Sequence, residues 1–179
     1  LLAVAQRRRQ QFGAVSARQR EVCGKVLQYS RQLLELIQAT LDVSRMESGA
    51  LPVTLSAVDV AALLVEVERE IPAAWVKPGV TVSFAVEGEI PTFQTDHPKL
   101  KMVVRNLVHN ALKFTDAGSV SVHATTDPVR ATLLITVADT GIGISPEGQR
   151  IIFDMFRQVD GSDRRRHDGV GLGLYIVRR

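Results

Sequence analysis

The sequence predicts an α+β chain: a two-layer α/β sandwich with helices on one face of a mixed sheet, preceded by a helical-bundle segment. Three observations predict it. Residues 16–49 carry apolar side chains at helical spacing. Beyond residue 50, short alternating stretches recur with helical stretches between them. Two of the alternating stretches, "SVSVHATT" and "RATLLITVAD", adjoin across Asp127-Pro128, a turn-forming pair. The helical part is assigned to residues 1–50 and the sandwich to residues 51–179.

The first fifteen residues read as the tail of a preceding helix and its connection, with Arg7, Arg8 and Arg9 as a solvated face. Ser16 with Gln19 is a capping-box pattern that opens a long helix. Gly49 is placed to stop it, and Pro52 follows. Val22, Val26, Tyr29, Leu33, Leu36, Thr40 and Val43 form a heptad seam. Leu27, Leu34, Ile37 and Leu41 add a second apolar stripe. Two stripes call for more than one partner, and a dimeric four-helix bundle supplies them. A single amphipathic helix lying on the following domain is the other arrangement. Cys23 reads as a small buried helix residue in a reducing compartment.

After Gly49, "LPVTLSAV" is extended. Asp59 caps a helix whose Leu63, Leu64, Val67 and Ile71 share a face. "GVTVSFAVEG" alternates as a strand, and "TFQT" is a short strand. Asp96 caps the next helix, with Pro98 in its first turn. The hairpin strands follow. Ser145-Pro146-Glu147 then opens a helix expected to run through "PEGQRIIFDMF". Residues 157–170 are a polar, glycine-containing loop, and "GLGLYIVRR" enters a last helix.

Composition narrows the function classes. A 45% hydrophobic content suits a chain with a real core, and the net charge of +3 is mild. Aromatics are 5%, and the excess Arg is confined to residues 7–9 and 164–166, so no basic, aromatic-interleaved nucleic-acid face is expected. One cysteine excludes an intrachain disulfide, and no Cys/His spacing fits zinc. No apolar run reaches the roughly 18 residues of a membrane span. The start at Leu1 without methionine reads as a piece of a longer protein. This piece is expected in the cytoplasm, whether or not its parent is membrane-anchored.

The chemistry lies in stretches that are weak singly. "DTGIGI", residues 139–144, places Asp139 at a strand end, where a buried carboxylate accepts a hydrogen bond from an exocyclic amine such as that of adenine. Gly141 and Gly143 let a flat base approach the backbone. Asp and Gly also favour ordinary turns. "GVGLGL", residues 169–174, opens a helix with glycines and exposed N–H groups that suit an anion, or serves as a hinge. It is not a dinucleotide fingerprint, since Leu174 stands where a third glycine belongs, and GxxxxGK[ST] is absent. In "NLVHNALKFT", Asn106, Asn110 and Lys113 share a helix face. An amide oxygen there can ligate Mg²⁺ and an ammonium can meet phosphate. An ordinary polar stripe has the same spacing.

The order of these stretches removes the ambiguity. "NLVHNALKFT", "DTGIGI", "FDMF" and "GVGLGL" resemble the N, G1, F and G2 boxes of the sensor histidine kinases, which share an ATP-binding fold with gyrase, heat-shock and mismatch-repair ATPases. "LDVSRMESGAL" resembles the end of that family's dimerisation and histidine-phosphotransfer domain. The resemblance covers residues 16–179. It implies an ATP-binding domain in which Asp139 binds the adenine amino group and Gly141 and Gly143 line the base pocket. Asn110 would hold Mg²⁺ with Asn106 nearby, and Lys113 would contact phosphate. Phe153 and Phe156 would anchor a lid over residues 157–170, which Gly169, Gly171 and Gly173 let close.

The family's acceptor histidine is missing: His97, His109, His123 and His167 all lie late, and none opens the expected H-E-x-x-x-P motif. Each reads as incidental. The resemblance implies transfer of the γ-phosphoryl of Mg-ATP to a histidine outside this chain and onward to an aspartate of a response-regulator receiver domain. It also implies a homodimer through the N-terminal helices. The alternatives are a non-catalytic dimeric scaffold or pseudokinase that binds ATP or a partner, and a related ATPase of the same fold.

Overall fold

The computed structural model describes residues 16–47, 52–127, 129–157 and 171–179. Cα packing divides the chain between Leu41 and Asp42.

Among its described residues the first unit is helical. Helix α1 spans Ala17–Glu47 and crosses the division. Its entry is the expected capping box: Gln19 N–H donates to Ser16 Oγ (3.2 Å), and Ser16 N–H donates to Gln19 Oε1 (2.9 Å). The stop expected at Gly49 lies outside the described residues. Val22, Val26, Leu27, Tyr29, Leu33, Leu34, Ile37 and Leu41 are all exposed in the single chain. Cys23 is exposed too, contrary to the buried position expected from its residue type.

The second unit is built on strands and helices in the order β1 (Ser56–Val58), α2 (Val60–Glu70), a 3-10 turn (Ala73–Trp75), β2 (Val80–Val86), β3 (Phe93–Thr95), α3 (His97–Phe114), β4 (Gly118–Asp127), β5 (Thr132–Asp139), α4 (Pro146–Ile151) and α5 (Gly173–Arg178). Among the described residues, β2-β4-β5 form a mixed sheet, with β2 parallel and β5 antiparallel to β4. β1 and β3 pair antiparallel as a separate ribbon. The extended stretch before α2 forms a strand only at Ser56–Val58.

The sheet's inner face explains the layering. On β4, Val120, Val122 and Ala124 are fully buried, while Ser119, Ser121 and His123 alternate with them. Val60, Leu63, Leu64 and Val67 of α2 and Val104, Val108, Ala111 and Leu112 of α3 join the same core, with Leu133, Ile135 and Val137 of β5 packed at its margin. Helices therefore cover one face and the alternate residues leave the other polar. Fully burying a side chain such as Leu63 or Leu112 contributes roughly 1.5–3 kcal/mol.

The helix starts follow their caps. Ala62 N–H donates to Asp59 Oδ1 at 3.0 Å. Asp96, 7% exposed, accepts from Lys99 N–H (3.0 Å) and from Thr54 N–H (2.9 Å). Those bonds, the one from Thr54 first, hold its carboxyl below the usual carboxylate range. Lys101 bridges α3 to Glu66 (3.1 Å) and Glu70 (2.6 Å) of α2, and His97 lies 3.5 Å from Glu66. Among the described residues, no helix is long and apolar enough to cross a membrane.

One helix is shorter than its sequence implies. α4 ends at Ile151, and "FDMF" falls in turns. Asp154 N–H donates to Ile151 O over three residues (2.9 Å), and Phe156 adopts φ +59°. Phe156 N–H then donates to Gly171 O at 3.2 Å, a long-range bond that replaces helical continuation.

Candidate functional site

The site grows from the C-terminal end of α3. The last carbonyls of a helix have no partner within it. Here Phe114 O accepts Ile142 N–H at 3.2 Å and Lys113 O accepts the Lys77 ammonium at 2.7 Å. The buried Thr115 hydroxyl donates back to Ala111 O (2.7 Å). So the asparagine helix is bonded directly to the loop that follows Asp139.

That loop is held from both sides. Asp139 ends β5 opposite Val120, so its side chain stands on the helix-covered face, but it is exposed and not buried as expected, because the strand end lies at the margin of the core. Its Oδ1 accepts Gly141 N–H at 2.9 Å. Thr140 Oγ1 accepts Ser119 N–H at 2.9 Å. A Cβ at Gly141 would collide with the Phe114 carbonyl oxygen and lie 2.9 Å from Asp139 Oδ1. Glycine is required there by close approach. Gly143 is required for another reason: its φ is +69°, with open space around it.

The helix face expected from the spacing also forms. α3 packs against both β5 and α5. Gly173, the first residue of α5, lies over the asparagines: a Cβ there would be 3.4 Å from Asn106 Oδ1 and 3.6 Å from Asn110 Nδ2. Asn106 spends its amide N–H on Met102 O (3.0 Å), which turns its carbonyl oxygen toward Gly173. Both asparagines are half-buried. Lys113 Nζ sits 4.8 Å from the Phe114 ring centroid.

Gly171 has φ +74° and faces the Phe156–Arg157 backbone, where a Cβ would be 2.7 Å from Arg157 O. Phe156 is exposed and Phe153 half-buried. A hollow of about 350 Å³ is lined by Phe153, Asp154, Met155, Tyr175, Arg178 and Arg179. It takes in neither the asparagines nor Asp139. Gly169, His167, Arg164, Arg165, Arg166 and residues 158–170 generally lie outside the described residues.

Two neighbours carry no signal in motif or periodicity. Trp75 stacks on His109, centroids 4.1 Å apart, and Lys77 pairs with Asp116 at 2.9 Å. His109 is thus a packing residue. Burial first, then repulsion from Lys113 and Arg105, pushes its imidazole down to about 4. His97 and His123 sit beside Glu66 and Glu87 respectively.

Residues 95–179 match the family model described as "Histidine kinase-, DNA gyrase B-, and HSP90-like ATPase". The hybrid signal transduction histidine kinase D of Dictyostelium discoideum is 33% identical over 157 residues, covering 86% of this chain and 10% of that protein. The circadian input-output histidine kinase CikA of Synechococcus elongatus is 32% identical over 174 residues, covering 94% and 22% respectively. A solved structure of full-length ShkA in complex with AMPPNP superposes with TM-score 0.71 at 30% identity, covering 92% of this chain and 34% of that one. The chain spans well under two thirds of each of these proteins. With its helix-covered mixed sheet, its asparagine helix and its glycine loops in this order, the chain is similar to sensor histidine kinases over most of its length, and residues 95–179 match their histidine kinase-, DNA gyrase B- and HSP90-like ATPase domain.

Proposed function

We propose that this domain binds Mg-ATP between Asp139 and the asparagine face of α3, as the phosphoryl-donor module of a two-component sensor kinase. The carrying observation is the meeting of three stretches distant in sequence. Ile142 bonds to the end of α3, and Gly173 lies against Asn106 and Asn110.

The adenine amino group donates to Asp139, beside the space that Gly141 and Gly143 leave open. Asn110, with Asn106 beside it, would hold Mg²⁺; neutral amide oxygens are hard donors that suit it without adding charge. The ion would neutralise phosphate charge. Lys113 adds a cation to the phosphate end. Phe153 and Phe156 anchor the lid, and Gly169, Gly171 and Gly173 let it close. Phosphoryl transfer depends chiefly on such positioning and charge neutralisation. The acceptor is a histidine outside this chain, and a response-regulator aspartate receives the group next. The exposed apolar stripes of α1 fit a second copy of the same helix, which supports a homodimer. ATP as substrate assigns the module to the cytoplasm, whether or not its parent is membrane-anchored.

Calorimetric titration with a non-hydrolysable ATP analogue tests the reading. Asp139→Asn is expected to abolish binding, and Asn110→Asp to weaken it in the presence of Mg²⁺ by adding negative charge near the phosphates. Undiminished affinity in Asp139→Asn would overturn the adenine assignment. Phosphate release without phosphoprotein, when a histidine-bearing bundle is supplied, would instead favour a simple ATPase.

A further inference from the structure

A short segment outside the four motifs grips the helix that carries the asparagines. After the 3-10 turn Ala73–Trp75, the chain turns sharply at Lys77-Pro78-Gly79-Val80. Val80 N–H donates to Lys77 O at 3.1 Å, and Gly79 has φ +89°. Proline second and a positive-φ glycine third is the pattern of a type II turn, which fixes the backbone at Lys77.

Two side chains reach from this segment to one stretch of α3. The Trp75 ring stacks on His109 with 28° between planes. The Lys77 ammonium donates to Lys113 O at 2.7 Å and to Asp116 Oδ1 at 2.9 Å. A cation at a helix C-terminus sits where the macrodipole favours it. The two contacts bracket Asn110: His109 immediately precedes it, and Lys113 follows one turn later. The base end of the site, by contrast, is held by Asp139 on β5 and by the bond from Ile142 to Phe114 O, which does not involve Lys77.

We propose that Trp75 and Lys77 form a clamp that sets Asn110 and Lys113 for the phosphate end of the nucleotide, with Lys77 a positioning residue that does not itself touch the ligand. The proposal rests on the ATP-binding reading above. It makes a selective claim: loosening the clamp penalises the phosphates and spares the base.

The test titrates the full 179-residue chain and its Lys77→Met variant with a non-hydrolysable ATP analogue plus Mg²⁺, and separately with adenosine. Lys77→Met is expected to weaken the analogue about fivefold, the scale of one net hydrogen bond, and to leave adenosine unchanged. Lys77→Arg is expected to restore most of the loss, because it keeps a charged donor for the carbonyl. Emission from Trp75, the chain's single tryptophan, reports whether the fold and the stack persist. If Lys77→Met does not fold, Trp75→Phe tests the other contact through the same ratio. An equal loss for both ligands, or no loss for either, overturns the clamp. Failure of the underlying reading looks different: the unaltered chain would bind neither ligand, or Asp139→Asn would bind the analogue normally, and the clamp would fall with it.

Discussion

Replacing Gly141 by alanine isolates the contact between the Asp139 loop and the end of α3. Gly141 is outside the left-handed region, so the penalty is steric. The added methyl would collide with the Phe114 carbonyl oxygen and lie 2.9 Å from the Phe114 carbonyl carbon and from Asp139 Oδ1. Backbone at a helix end does not swing aside as a flexible side chain does, so the loop must retreat. Retreat breaks the Ile142–Phe114 bond of 3.2 Å and strains the Gly141–Asp139 bond of 2.9 Å. Overpacking and one lost hydrogen bond together cost about 2–4 kcal/mol, which lowers the melting temperature by roughly 10 °C for a domain of this size. Gly143→Ala is the internal control. Its φ of +69° with open space around it predicts about 1–2 kcal/mol and no displacement of the loop. Urea unfolding followed by Trp75 emission measures both variants, and titration with the ATP analogue measures the site. Gly141→Ala within 0.5 kcal/mol of the parent, or costing less than Gly143→Ala, would refute the reasoning.

Three further outcomes follow from the same geometry. The folded state binds a proton at His109 less tightly than the unfolded chain, so stability falls as pH drops from 6.5 toward about 4, by at most about 3 kcal/mol; His109→Phe should flatten that part of a urea-midpoint profile. Asp59→Ala removes the cap on Ala62 N–H and should cost about 1 kcal/mol in chemical unfolding, with Asp59→Asn nearly neutral. Leu34→Glu with Ile37→Glu places charge on the exposed apolar surface of α1 and should halve the mass seen by light scattering, if that surface pairs two copies.

Local chemistry made much of the fold legible. Asp59, Asp96 and Ser16 each announce a helix through a bond completed within three residues, and each bond forms. The alternation of β4 likewise needs no distant information, because the strand's period is two. Asn106 and Asn110 follow from helical spacing, and Gly173 covers them. What stayed hidden depends on distant partners. The bond from Lys77 to Lys113 O spans 36 residues and uses a backbone acceptor, which any sequence offers. α4 ends sooner than its helical pattern implies, and Phe156 bonds instead to Gly171, beyond the reach of that pattern. Cys23 is exposed although its residue type favours burial, because residue type alone does not say which face of a helix is covered.

The pairing of Asp139 with Val120 carries an instruction beyond packing. Along β5 the odd-numbered residues Leu133, Ile135 and Val137 face the helices, and Asp139 continues that parity. The hairpin's turn length therefore decides which side of the sheet receives the carboxylate. A one-residue insertion between Asp127 and Thr132 that slipped the register would offer Ala138 or Thr140 to the asparagine helix and turn Asp139 to the opposite surface. The same slip would swing Leu133, Ile135 and Val137 into water. The register that fills the core with Leu133, Ile135 and Val137 is therefore the same register that sets the Asp139 carboxylate on the helix-covered face.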